Sequence, residues 1–153
     1  MSAPRPVAAV VAVVWRAGRV LLVRRRNPPN AWTWGFPGGK LQSGEPVLRA
    51  AERELREETG LIGRGLRAFD AIDVIADGDP PEYHYVLIAV LVDTEPGEPL
   101  AADDVDEAAW CEPDALPTPQ VPELDRVIAR ASALLDGAHN VSATSTASRG
   151  TGP

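Results

Sequence analysis

The residues best suited to chemistry are three glutamates, Glu54, Glu57 and Glu58, in the run Arg49-Ala50-Ala51-Glu52-Arg53-Glu54-Leu55-Arg56-Glu57-Glu58. At about 100° per residue, positions i, i+3 and i+4 share one side of a helix. The same projection puts Val47, Leu48, Ala51 and Leu55 on an adjoining arc that overlaps Glu58, with Arg49, Glu52 and Arg56 on the far side. Like charges at the border of a core repel one another and resist desolvation unless a cation sits among them. A divalent ion is the economical solution, and hard carboxylate oxygens with no Cys or His nearby in sequence favour Mg²⁺ or Mn²⁺ over zinc. Glutamate-rich helices also serve as plain solvated faces with arginine partners, so the triplet alone leaves both readings open. Arg53, four residues before Glu57, is placed to neutralise part of the charge. Upstream, Gly38-Gly39 permits close backbone approach and leaves a carbonyl free for a metal.

The elements that must position these groups are legible in outline. The helix spans Glu45–Glu58, with Pro46 suited to its first turn, Ser43 placed to cap it and Gly60 placed to stop it. Before it, the apolar runs Val7–Trp15 and Val20–Val23 flank Arg16-Ala17-Gly18-Arg19 and predict a largely buried hairpin. Arg24–Asn30 contains two prolines and reads as a loop that delivers Trp32 and Trp34 toward Phe36-Pro37-Gly38-Gly39. After the helix, Leu66–Ile75 and Tyr83–Val92 predict strands, Asp93–Glu107 a long acidic loop, and Ala108–Cys111 one more strand. Leu124, Val127, Ile128, Ala131, Leu134 and Leu135 give Pro122–Leu135 the spacing of a closing amphipathic helix. The economical architecture is a three-layer α/β (α+β) domain on a mixed sheet. Residues 7–137 form it, with 1–6 as an N-terminal tail and the Ser/Thr/Ala/Gly-rich 138–153 as a disordered tail.

Composition bounds the partners. The 153 residues are 44% hydrophobic and 24% charged, enough for one modest core. With 15 Lys plus Arg against 22 Asp plus Glu, a net charge of −7 argues against general affinity for nucleic acid. A single cysteine excludes an intramolecular disulfide and fits a reducing, cytoplasmic compartment. The short apolar run after the N-terminus, interrupted by Arg16, is neither a signal peptide nor a membrane span.

Gly39, Glu45, Arg53, Glu54, Leu55, Glu57, Glu58, Gly60 and Leu61 stand at fixed spacing in a pattern that resembles the signature of the Nudix hydrolase superfamily, and all nine positions match. Trp34-Gly35-Phe36-Pro37 resembles the family's lead-in, and Trp110 with Glu107 and Asp104 its late strand, so the likeness covers residues 7–136. The resemblance implies a Nudix-like α/β/α sandwich and hydrolysis of a nucleoside diphosphate linked to another moiety. It implies metal ligation by Glu54, Glu57 and Glu58 with the Gly38 carbonyl, and a Glu45–Arg53 pair bracing the loop and helix. The catalytic set it implies is Glu57, Glu54, Arg53 and Glu45, with the base either a helix glutamate or a loop acid among Asp103, Asp104, Asp106 and Glu107. Alignment to Trp110 favours Asp104, one methylene shorter than the glutamate many relatives carry there.

For substrate contacts, Arg24 and Arg25, beside Arg26, are the candidates for phosphate, Trp32 is the favoured aromatic for a base, and Asp104 is the favoured acid. His84 reads as a satisfied strand residue. The general pattern resembles bacterial ADP-ribose pyrophosphatase-like and MutT-like members, although the proline that marks one ADP-ribose subgroup is missing where Ala76 and Asp77 stand. The expected partner is a small nucleotide, with no nucleic acid or membrane, and the resemblance is compatible with a homodimer. A nucleoside triphosphate pyrophosphohydrolase and a non-catalytic nucleotide-binding module are the alternatives, the second opposed by the intact glutamate triplet.

Overall fold

The computed structural model describes residues 3–146, with side chains through residue 137. The first hairpin pairs β1 (Val7–Arg16) with β2 (Arg19–Arg25), but only Trp15↔Val20 and Arg16↔Arg19 remain in register before the strands part. Two further strands fill the opening. The short β3 (Trp34–Gly35) pairs with β2, and β4 (Gly38–Lys40) pairs with β1 through Ala9↔Lys40, Val10↔Gly39 and Val11↔Gly38. A side chain at Gly38 would overlap the Val10 carbonyl oxygen, so glycine is required for this close approach.

Downstream, α1 (Val47–Thr59) leads to β5 (Gly63–Ile75), β6 (His84–Thr94), β7 (Val105–Cys111) and α2 (Leu124–Thr146). β6 runs parallel to β1 from Val7↔Tyr85 to Val14↔Val92, β5 lies antiparallel on its outer edge, and β7 pairs with β2. The result is a seven-stranded mixed sheet with the order β3-β2-β1-β6-β5, to which β4 and β7 add.

The Val/Ala run of β1 is buried on both faces because a helix covers each. Val10, Ala12 and Val14 pack with Ala51 and Leu55 of α1, while Val11 and Val13 pack with Leu124, Val127 and Ala131 of α2. This period-two division is the α/β/α arrangement expected from the pattern.

The boundaries moved for physical reasons. α1 begins at Val47 rather than Glu45, with Pro46 as its N-cap and no side-chain cap, so Ser43 does not cap it. Gly60 ends it in the left-handed region at φ 74°, its N–H donating to the Arg56 carbonyl at 2.9 Å. β5 starts three residues before the expected Leu66. Gly63 and Gly65 hide the strand in the sequence, yet a Cβ at Gly63 would meet Leu55 Cδ2 at 2.8 Å and one at Gly65 the Leu48 carbonyl at 2.9 Å, so α1 presses on bare backbone there. α2 runs to Thr146, past Leu135, where the apolar spacing ends, and through Gly137. A lone glycine weakens a helix by only about 1 kcal/mol and no proline intervenes, so the expected tail from 138 begins within the helix. Residues 147–153 lie outside the described residues.

Candidate active site

β4 and the second half of α1 put the glycines and glutamates side by side. Arg53 is the organising group. Its Nε and one terminal nitrogen grip Glu45 at 2.6 and 2.9 Å, and that nitrogen also donates to the Lys40 carbonyl at 3.2 Å. The other terminal nitrogen donates to Glu54 at 2.8 Å and Glu57 at 3.2 Å. One guanidinium thus ties the loop before α1 to two carboxylates on it, the planar two-sided geometry that arginine provides and lysine does not. The arginine holds the Glu45 carboxyl below the usual carboxylate range.

The glutamates differ in environment. Glu54 and Glu58 are buried, whereas the Glu57 side chain is 40% exposed. Burial, then the neighbouring Glu54 charge, pushes Glu58 up to about 8, opposed by the Gly38 N–H that donates to it at 3.0 Å. Burial also raises Glu54, against the pull of Arg53. Asp103, in a left-handed turn at φ 58°, adds its negative field to both. A side chain at Gly39 would overlap the Glu54 carboxylate, so the second glycine exists to let that carboxylate reach the backbone.

Among the described residues, no three His, Cys, Asp or Glu side chains converge on one point as a closed metal cage. Here Arg53 engages Glu54 and Glu57, and the Gly38 amide engages Glu58. The donor set nevertheless fits a hard divalent cation: all-oxygen ligands, two of them buried against their own repulsion, beside a glycine cradle.

Of these groups, Gly38, Gly39, Arg53, Glu54, Glu58 and Asp103 line a cavity of about 660 Å³, within the range of small-molecule sites. Further lining comes from β1, β2 and the loop after it, and from β5, β6 and the start of α2, through Ile72, Tyr85, Leu87, Glu123 and Val127. Arg25 and Asp104 line it as expected, Arg25 bonded to the Pro29 carbonyl at 3.2 Å and Asp104 accepting from Asn27 at 3.0 Å.

Arg24 and Trp32 do not line the cavity. Arg24 is committed to Asp106 at 3.0 and 2.5 Å and to Glu107 at 3.6 Å, because alternate residues of a strand face opposite sides and Arg25 takes the inner one. Trp32 is 56% exposed, its ring lying under the Arg24 guanidinium at 5.8 Å. The loop acid whose charge reaches the glutamates is Asp103 rather than Asp104. Tyr85 and Phe36 are the aromatics that line the cavity, Tyr85 with the Lys40 ammonium 6.0 Å from its ring centroid. The alternation of Tyr83, Tyr85 and Leu87 on one strand face was the available signal. Glu123 carried no sequence signal at all.

A mixed sheet between two helices, with a glutamate-bearing helix against a Gly-Gly strand, defines a class of fold and site, and comparison with known proteins identifies it. The NUDIX domain model matches residues 4–131, and the chain belongs to the Nudix family. It is 34% identical over 112 residues to an ADP-ribose pyrophosphatase of Methanocaldococcus jannaschii, covering 73% of this chain and 65% of that protein, slightly under two thirds of its length. It is 32% identical over 113 residues to an oxidized purine nucleoside triphosphate hydrolase of Danio rerio, covering 72% of this chain and 69% of that protein. Among solved structures, a MutT NUDIX hydrolase from Burkholderia pseudomallei superposes with a TM-score of 0.72 at 31% identity, covering 83% of this chain and 98% of the other.

Proposed function

We propose that the protein is a metal-dependent hydrolase that cleaves the phosphoanhydride of a nucleoside diphosphate derivative, with ADP-ribose or a nucleotide sugar as substrate. The observation that carries the reading is the buried Glu54–Glu58 pair, Glu54 held by Arg53 and Glu58 by the Gly38 amide, in a cavity that charged and apolar side chains line together. A substrate whose anionic diphosphate joins a flat base to a second moiety can use both kinds of lining, the charged groups for the diphosphate and the apolar side chains for the base. The M. jannaschii relative supports the ADP-ribose assignment.

Glu54, Glu57 and Glu58, with the Gly38 carbonyl, would hold Mg²⁺ or Mn²⁺. Such an ion, when bound, neutralises charge on phosphoryl oxygens and makes water a nucleophile near neutral pH. The chain's own residues do the positioning. Glu45 fixes Arg53, and Arg53 fixes Glu54 and Glu57. Arg25, inside the cavity, is suited to the diphosphate. A helix glutamate such as Glu57, or the loop acid Asp103 in the cavity lining, would take the proton of the attacking water, whose oxygen bonds phosphorus as the anhydride oxygen leaves. The reading places the protein in the cytoplasm, supported by a single cysteine in the sequence, Cys111, which is buried as a free thiol.

A second reading, a nucleoside triphosphate pyrophosphohydrolase, is favoured by the D. rerio relative. Incubation with ADP-ribose, nucleotide sugars, dinucleotides and (d)NTPs, with Mg²⁺ or with chelator, separates the two. Metal-dependent AMP plus ribose 5-phosphate from ADP-ribose supports the first. Pyrophosphate plus a monophosphate from a triphosphate supports the second.

A further inference from the structure

Asp70 stands on β5 beside an irregularity in the β5–β6 register, and its side chain is 9% exposed on the side that faces α2. A buried carboxylate is costly unless charge and hydrogen bonds compensate it. Its Oδ1 accepts from the Ala71 N–H at 2.9 Å, while its Oδ2 has no hydrogen bond. Compensation for Oδ2 comes from two guanidinium groups one helical turn apart on α2, Arg126 at 3.4 Å and Arg130 at 3.6 Å. Both arginines are about half exposed, so neither is held there by burial of its own head group.

Arg126 has a second partner. Its Nε donates at 2.5 Å to Glu123, which lines the cavity from a left-handed backbone conformation at φ 71°. Asp70, Arg126 and Glu123 therefore form a chain of charge running from the edge strand into the cavity wall. The stretch just before α2 is stapled separately: Trp34 N–H donates to the Pro119 carbonyl at 2.8 Å and Val121 N–H to the Trp34 carbonyl at 2.9 Å. Glu123 lies between that staple and the buried Leu124 and Val127, and the charge chain reaches α2 at that point.

We propose that Asp70 is a positioning residue. Through Arg126 it holds Glu123 and the first turn of α2 as one wall of the cavity, and so governs how tightly the substrate moiety lying there is held, not the rate of phosphorus–oxygen cleavage. Its kinetic consequence rests on the hydrolase reading above; its structural consequence does not.

Hydrogen exchange of the free full-length protein and steady-state hydrolysis of ADP-ribose with Mg²⁺ test the two consequences in Asp70→Asn. Exchange over residues 121–128 should accelerate about fivefold, the scale of one partly exposed ion pair, with residues 47–59 unchanged. KM should rise by about the same factor with kcat within about twofold. Unchanged exchange at 121–128, or a loss in kcat at constant KM, overturns the proposal. A wild type that does not turn over ADP-ribose overturns the substrate assignment instead, and the exchange result still decides the role of Asp70. If Asp70→Asn does not fold, Arg126→Gln, a change on a half-exposed side chain, carries the same test.

Discussion

Replacing Arg53 by lysine keeps the positive charge and most of the side-chain length but removes the planar fork. The native guanidinium reaches Glu45 twice, at 2.6 and 2.9 Å, and Lys40, Glu54 and Glu57 once each. Its side chain is 15% exposed and that of Glu45 14%, so solvent screens the pair only weakly. An ammonium placed beside Glu45 abandons Glu54, and the reverse placement abandons Glu45. Each choice forfeits at least one charge-assisted hydrogen bond worth about 1.5–3 kcal/mol, and leaves a carboxylate under-compensated. Arg53→Lys should therefore destabilise by about 2 kcal/mol. Tryptophan-monitored urea unfolding reads this as a midpoint lower by about 1 M at an m-value near 2 kcal/mol/M, with m unchanged. Glu45→Gln should cost about as much, and the double variant less than the sum, with coupling of about 1 kcal/mol or more. An Arg53→Lys midpoint within about 0.2 M of wild type, or strict additivity, would refute the claim that the fork braces the site.

Glu57→Gln should lower turnover of the cleaved substrate by about 10²-fold or more while the unfolding midpoint stays near wild type, because charge is lost but volume is kept. Gly39→Ala places a methyl group into the Glu54 carboxylate and should cost about 1–3 kcal/mol along with most of the activity; a fully active, equally stable variant would contradict the packing at that glycine. Arg25→Gln should raise KM about tenfold or more, whereas Arg24→Gln should leave KM unchanged because Arg24 belongs to Asp106, and equal effects would remove the distinction. Arg24 holds the Asp106 carboxyl below its ordinary 3.8. A lowered folded-state value adds stability that is full above the unfolded value and is lost as pH falls through the folded one, so Asp106→Asn should be less stable than wild type at pH 7 and the gap should narrow as pH falls below 3.8 in urea titrations.

The helix and the placing of its glutamates were legible because every rule that specifies them is local. The i, i+3, i+4 spacing of Glu54, Glu57 and Glu58 and the stop at Gly60 need only neighbours within one or two turns, and the spacing from Gly39 to Leu61 covers a single contiguous segment. The β1–β2 hairpin was legible for the same reason. The parting of β1 from β2 was not, because the contact that fills the gap joins Val11 to Gly38, and a glycine pair in a loop carries no strand signal.

Selection among similar residues needed the tertiary structure. Arg24 and Arg25 are chemically alike, and only the pairing of β2 with β7 decides which faces Asp106 and which the cavity. Asp103 and Asp104 differ by one position, and a left-handed turn at Asp103 decides whose charge reaches Glu54 and Glu58. The family, the carboxylate helix and the spacing of Arg53 from its partners could be read without a structure, because they are encoded in one contiguous run. The cavity wall, from Ile72 and Tyr85 to Glu123, and the tether from Asp70 to Arg126 join segments that are far apart in the chain. Their meeting depends on the whole sheet order and on which face of β5 receives α2, and no local pattern of side chains specifies either.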